Sequence, residues 1–115
     1  MNGDEFVRLV ELCVRDSAIK ATLSNLQDPP GQAPLQELVE ASKWFLQQDE
    51  RSKQIVEYII RRSANFATVF FLSVIDGAMA IEDPGPNRGD LELYHVTKSS
   101  RVRLNDMPLN EVFQA

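Results

Sequence analysis

The pattern of apolar positions predicts helices over the first two thirds of the chain. After Asp4, a candidate N-cap, apolar side chains recur every three or four residues and so share one side of a helix: Phe6, Leu9, Val10, Cys13 and Val14. Continued in phase, the pattern would bring Lys20 onto the apolar side. Either the helix ends near Asp16 and a short second helix runs through Leu26, or the axis bends there.

A clear break precedes the next predicted helix. The sequence DPPGQAP cannot continue a helix, and its last proline suits a first turn. From about 34 to 48 the inward stripe is Leu35, Leu38, Val39, Ser42, Phe45 and Leu46. Trp44 points the opposite way, between Glu37 and Glu40. Either another element such as the C-terminal tail covers the indole, or it is an exposed anchor for a partner.

Residues 66–75, FATVFFLSVI, form the most apolar stretch of the chain. A helix that is apolar on all sides belongs in the centre of a fold, and Gly77 is expected to end it. The stretch is too short for a membrane span, because about 20 apolar residues are needed and Asp76 follows after ten. We therefore expect a central helix buried by the rest of the chain.

Arg62 lies just before this stretch and would project into the apolar stripe. Two arrangements remain open. The helix breaks at 63–65, with Asn65 capping a new one, or it continues as one long helix in which Arg62 meets an acid.

The last third of the chain changes period. Three short segments with alternating or branched residues predict a three-stranded antiparallel meander: AMAIED, DLELYHV and RVRLND. Such a small sheet must lay one face on the central helix to be stable, and the candidate face is Met79, Ile81, Leu91, Leu93, Val102 and Leu104. PLNEVF, from Pro108, predicts a terminal helical turn.

The predicted architecture is α+β in a single domain, residues 1–115. Three to five N-terminal helices surround an apolar central helix, followed by the three-stranded meander and a short C-terminal helical turn. The helical part covers about 4–76, the sheet part about 78–106 and the terminal turn about 108–113. A chain of this length can bury about two thirds of its unfolded surface in one core.

Charge is unevenly distributed. The net charge of -5 comes from residues 1–50, with nine acids against four bases, whereas residues 51–115 hold eight of each. An acidic surface repels phosphate backbones, so we expect a basic protein partner rather than nucleic acid. A local basic patch stays open as an exception: Arg61, Arg62, Arg101 and Arg103. The N-terminus lacks the pattern of a secretory signal, and the single Cys13 suits a reducing compartment, so we expect a cytoplasmic protein without a membrane partner.

Motifs for catalysis or cofactor binding are not found. The sequence lacks GxGxxG, GxxxxGK[ST], GxSxG and HExxH. The lone His95 has no second His or Cys near it in sequence, which leaves metal ligation unsupported. We expect no catalytic residues, cofactor or metal. The enzyme alternative would use carboxylates near Asp76 together with His95.

The C-terminal fifty residues carry a longer pattern. An apolar helix ends in Leu72-x-x-Ile75-Asp76-Gly77, and a strand at Leu91–Tyr94, the segment Leu104–Asp106 and a final Leu109–Phe113 follow. In this pattern the chain resembles a group of small bacterial proteins of mostly unassigned role. In size and acidity such proteins are similar to immunity proteins that neutralise bacterial toxins, which implies inhibition by binding. The group usually has His where this chain has Asn110, so no role carries over at that position.

The preferred hypothesis is a small soluble, non-catalytic protein-binding protein, an immunity- or antitoxin-like inhibitor. Trp44 would supply the apolar anchor, and Glu37 and Glu40 would steer a basic partner. The alternative is a homo-oligomeric structural or accessory subunit that shares excess apolar surface across a two-fold interface.

Overall fold

The structure is a computed structural model that describes residues 1–115. It combines helices with one small antiparallel sheet, so the predicted α+β class is confirmed. The elements in chain order are α1 (Gly3–Val10), a π-helical segment (Glu11–Asp16), α2 (Ser17–Gln27), α3 (Gln36–Leu46), α4 (Glu50–Ile75), β1 (Tyr94–Val96), β2 (Arg101–Arg103) and α5 (Leu109–Val112).

The first helical stretch does not end at Asp16, because the π-helical segment joins α1 to α2 without a gap. Its inward row repeats strictly every four residues: Gly3, Val7, Glu11, Arg15, Ile19 and Leu23. A four-residue step overshoots a 3.6-residue turn by about 40°, so this row would wind around a regular helix. The wider i→i+5 turns of the π segment keep the row on one side. Ile19 is therefore buried and Lys20 exposed.

The predicted break before α3 is confirmed, and α3 packs back against α2. Ser42 Oγ donates a hydrogen bond to the Leu26 carbonyl oxygen at 2.7 Å, and Phe45 is buried beside it. Leu35 and Leu46, at the ends of the predicted inward stripe, are exposed. Of the predicted stripe, Ser42 and Phe45 are thus buried, and its two end residues are not.

α4 is one helix of 26 residues without a break at 63–65. Its end at Gly77 is confirmed: Gly77 has φ +78°, the Gly77 N–H donates to the Val74 carbonyl oxygen and the Ala78 N–H to that of Ser73. Arg62 meets no acid. Its guanidinium lies over the Phe66 ring, 4.6 Å from the centroid.

α4 is not buried as the sequence pattern predicts. Only Thr68 and Leu72 are buried on it, and Phe71 is 65% exposed and Phe70 47%. The expectation that the rest of the chain buries this helix is wrong, because α5, α2 and the π-helical segment contact one side of α4 and leave the opposite side open. By length and composition alone α4 could cross a membrane, as the core helix of a soluble protein also could, and 17% of its most apolar 18 residues are buried.

The sheet has two strands instead of three. β1 pairs antiparallel with β2, with His95 opposite Val102. AMAIED forms no strand, because the N–H groups of Ala78 and Met79 both donate to the Ser73 carbonyl oxygen at the end of α4. Of the six side chains predicted to face the central helix, Leu104 is buried and Leu93 packs on the core, and four stay exposed: Met79, Ile81, Leu91 and Val102.

The core lies where α1, the end of α4 and α5 meet. Its buried centre is Val7, Leu72 and Leu109. Gly3 lets α1 approach the segment after β2, because a Cβ there would come within 2.6 Å of the Leu104 carbonyl oxygen. The predicted terminal turn is present as α5, and its Leu109 completes this small core.

Candidate functional site

The outer face of α3 carries the predicted interface residues. Trp44 is 54% exposed, and Glu37 and Glu40 are exposed on the same side. Neither carboxylate forms an ion pair; Glu40 Oε1 only accepts from Gln36 Nε2 at 3.4 Å. The indole is therefore uncovered, and the structure places all three predicted residues together.

The C-terminal tail, one candidate cover for Trp44, lies elsewhere. It is held by the π-helical segment: Arg15 Nη1 donates to the Gln114 carbonyl oxygen, and the Gln114 N–H donates to Glu11 Oε2 at 3.3 Å. Glu11 is buried and is also paired with Arg8 at 2.8 Å. An acid and a base of the π-helical segment thus hold the tail against this segment.

The carboxylate and the imidazole of the enzyme alternative are not brought together. Asp76 lines a polar groove with Asp106, Asn110 and Glu111, whereas His95 lines a separate apolar groove. Asp76 Oδ2 accepts the Asn110 N–H at 2.7 Å, which caps the start of α5. No group of three or more His, Cys, Asp or Glu side chains lies close enough to hold a metal ion.

Asn105 has a structural role that the sequence did not reveal. Its Nδ2 donates to the carbonyl oxygens of Ile75 (3.1 Å) and Leu91 (2.8 Å), and its Oδ1 accepts from the Leu93 N–H (2.8 Å) and from Arg103 Nε (3.3 Å). We call this buried amide and its four partners the Asn105 junction. It ties the end of α4 to β2 and to the segment that leads into β1.

The four arginines of the predicted basic patch are engaged locally. Arg61 pairs with Glu57 at 2.8 Å on α4, and Arg103 lies 3.6 Å from Glu92. Arg101 lies over the Tyr94 ring at 4.1 Å, as Arg62 does over Phe66. Two of the four thus lie on α4 and two on β2.

α4 carries a second surface that the sequence analysis placed inside the fold. Five apolar positions follow each other at intervals of four, three, four and three residues, and none is buried: Ile60, Ala64, Ala67, Phe71 and Val74. We call them the α4 seam. A 3.5-residue repeat is the spacing with which one helix meets another in a coiled coil, so this signal was readable from the sequence.

A groove runs beside the α4 seam, between α4 and the first helix. Its volume is about 410 Å³. Ala64, Ala67 and Thr68 form its floor, and Phe6, Val10 and Val14 form its far wall. The Thr68 hydroxyl donates to the Ala64 carbonyl oxygen at 2.7 Å, so the groove shows only the methyl group and is apolar.

The molecule as a whole exposes more surface than a folded monomer of its mass. Its accessible surface is 8274 Å², which exceeds the value of about 6,350 Å² for a 13.0 kDa globular monomer by about 1,900 Å². Its radius of gyration is 18.4 Å, where about 13 Å is usual for this length. Eleven residues are buried in total. The chain alone therefore leaves its apolar side chains unusually open.

Comparisons with protein-family models, with curated proteins and with solved structures give no match to this chain.

Proposed function

We propose that this protein acts by binding another protein, without catalysis, and that the outer face of α3 is the docking surface. The observation that supports it is the uncovered Trp44 indole. Trp is strongly enriched among interface hot spots, and covering an indole that is exposed to water lowers the free energy of the complex. The exposed Glu37 and Glu40 beside it lack cations of their own.

The charge pattern selects a basic partner. With nine acids against four bases in residues 1–50, this half of the molecule attracts positive surfaces and speeds their encounter. Binding of this kind is sufficient for inhibition by occlusion, as in immunity and antitoxin proteins, in which an acidic face would cover the basic active surface of a toxin.

The test uses the purified protein as bait, with matched variants on the same helix. Trp44→Ala should lose a basic partner that the wild-type protein captures, and Glu37→Gln with Glu40→Gln should weaken capture and its dependence on salt. Leu46→Ala is the control, because Leu46 is also about half exposed but lies on the other side of α3.

The same variants separate binding from folding. Because Trp44 makes few buried contacts, Trp44→Ala should lower the free energy of unfolding by less than about 0.5 kcal/mol. A loss of several kcal/mol, or equal capture by Trp44→Ala and the wild type, would show that the indole is not a docking anchor.

A homo-oligomeric subunit is the second candidate, and a separate observation favours it. The surplus of about 1,900 Å² is close to what one subunit of an obligate homodimer buries, about 1,000–2,500 Å². This candidate uses α4 rather than α3, so the two functions are compatible and can be tested independently.

A further inference from the structure

We propose that two copies of this chain pair through the α4 seam, with the two α4 helices antiparallel. The inference rests on the second candidate function and names its interface. Three features of α4 support it: the spacing of the residues in the seam, the apolar groove next to them, and the amount of apolar surface that the single chain leaves exposed.

The α4 seam is complementary to itself under two-fold symmetry. With the axis between residues 65 and 66, Ala64 of one copy lies opposite Ala67 of the other. Ile60 then lies opposite Phe71 of the other copy. Small side chains meet small ones at the crossing and let the helices approach, and large side chains pack on either side. An isologous interface requires this matching of a patch with itself.

The antiparallel direction follows from charge. Continued towards the N-terminus, the same spacing reaches Glu57 and then Lys53. In a parallel pair each would face its own copy, which sets acid against acid and base against base. In the antiparallel pair Glu57 faces Val74 at the edge of the interface, where it keeps its ion pair with Arg61.

The groove beside the seam extends the interface. Phe71, which is 65% exposed, stands at its rim, and the floor is lined by small side chains. Three residues of the α4 seam line this groove, Ala64, Ala67 and Phe71, so a second copy that packs on the seam also covers the groove. Phe66 and Phe70, stacked at 5.4 Å, lie on the outer flank of the same helix.

A bilayer is a poorer cover for this face than a second copy. The charge-free part of α4 is 63–75, thirteen residues or about 20 Å of helix, whereas the hydrocarbon core is about 30 Å thick. Arg61 and Arg62 stand directly before it. The area also fits a homodimer, whose interface resembles a domain core cut in half.

The first experiment is sedimentation at low micromolar concentration. The wild-type protein should have twice the 13.0 kDa mass of one chain. Phe71→Glu places a charge in the interface of each copy and should raise the dimer Kd on the order of 100-fold. Leu35→Glu is the matched control. Leu35 is 72% exposed but lies at the start of α3, outside the α4 seam, so this substitution should leave the dimer intact.

The second experiment tests register and does not depend on a charge being tolerated. In a Cys13→Ser background, an Ala64→Cys chain is mixed with an Ala67→Cys chain and oxidised. The antiparallel seam predicts a disulfide between the two different chains and little between like chains, because cysteines link only when their Cα atoms are within about 7 Å.

The outcomes separate the interface from the function that it supports. A wild-type dimer that survives Phe71→Glu, or cross-links only like chains, overturns the α4 seam while leaving self-association standing. A wild-type monomer overturns both. A monomer that sediments with phosphatidylcholine vesicles, and loses this with Phe71→Glu, would identify a membrane surface as the occupant instead.

Discussion

Two sides of the apolar part of α4 meet very different surroundings. At its C-terminal end, Leu72 is 1% exposed and the helix is tied down by the Asn105 junction and α5. One residue earlier, on the other side of the same helix, Phe71 stands in the open. The chain thus buries one side of α4 in the core and leaves the α4 seam, on another side of the same helix, exposed. Equal hydrophobicity in sequence therefore does not mean equal burial, because burial depends on what the rest of the chain can reach.

Adjacent substitutions test this contrast most directly. Leu72→Ala should lower the free energy of unfolding by about 3 kcal/mol at any protein concentration, because it opens a cavity in the core. Phe71→Ala should cost little in the single chain, since its ring is exposed, but should weaken the pairing of copies. Its melting temperature should therefore rise less with concentration than that of the wild type, so the two proteins should differ most when they are concentrated.

The measurement is thermal unfolding at two concentrations about tenfold apart. The wild-type melting temperature should rise with concentration, and Leu72→Ala should shift both curves down in parallel. If Phe71→Ala lowers stability as much as Leu72→Ala at both concentrations, the two sides of α4 are not different in the way the structure indicates.

The Asn105 junction should be the next most sensitive point. Asn105→Ala removes the donor to two carbonyl oxygens and the acceptor for the Leu93 N–H, and it leaves these partly buried groups without their side-chain partner. Each unsatisfied buried group costs about 1–3 kcal/mol, so we expect a loss of about 2–3 kcal/mol in urea denaturation.

Asn110→Ala is the matched control for the junction. Asn110 contributes its backbone N–H to Asp76, which alanine keeps, so its stability should stay within about 0.5 kcal/mol of the wild type. Equal losses for the two asparagines would mean that the amide of Asn105 is not what joins α4 to the strands.

Local rules predicted the features that depend on neighbouring residues. Gly77 ends α4 because a left-handed position favours glycine, and the outward direction of Trp44 follows from helical spacing. The position of Glu37 and Glu40 beside it follows in the same way. The candidate docking face was therefore readable from the sequence, since all its members lie within two turns of one helix.

Features that depend on distant residues were missed. AMAIED alternates like a strand, but two of its N–H groups are already used by the end of α4, which strand propensity does not take into account. The partners of Asn105 come from residues 75, 91, 93 and 103, so no short motif specifies them. The apolar stretch 66–75 was assigned to the core because its composition gives no measure of how much cover the chain can provide.

The start of α4 should give the smallest effect, far from both the junction and the seam. Asp49 accepts the Ser52 N–H at 2.8 Å, and this backbone hydrogen bond, with the Ser52 side chain, lowers the pKa of the Asp49 carboxyl. The stability it contributes is therefore present above the unfolded-state pKa and is lost as the pH falls through the lower, folded-state pKa.

Asn caps a helix about as well as Asp but does not titrate. Asp49→Asn should match the wild type near neutral pH and lose less stability on acidification, as measured by urea denaturation across the acid range. An unchanged pH profile would show that this carboxylate is not coupled to folding.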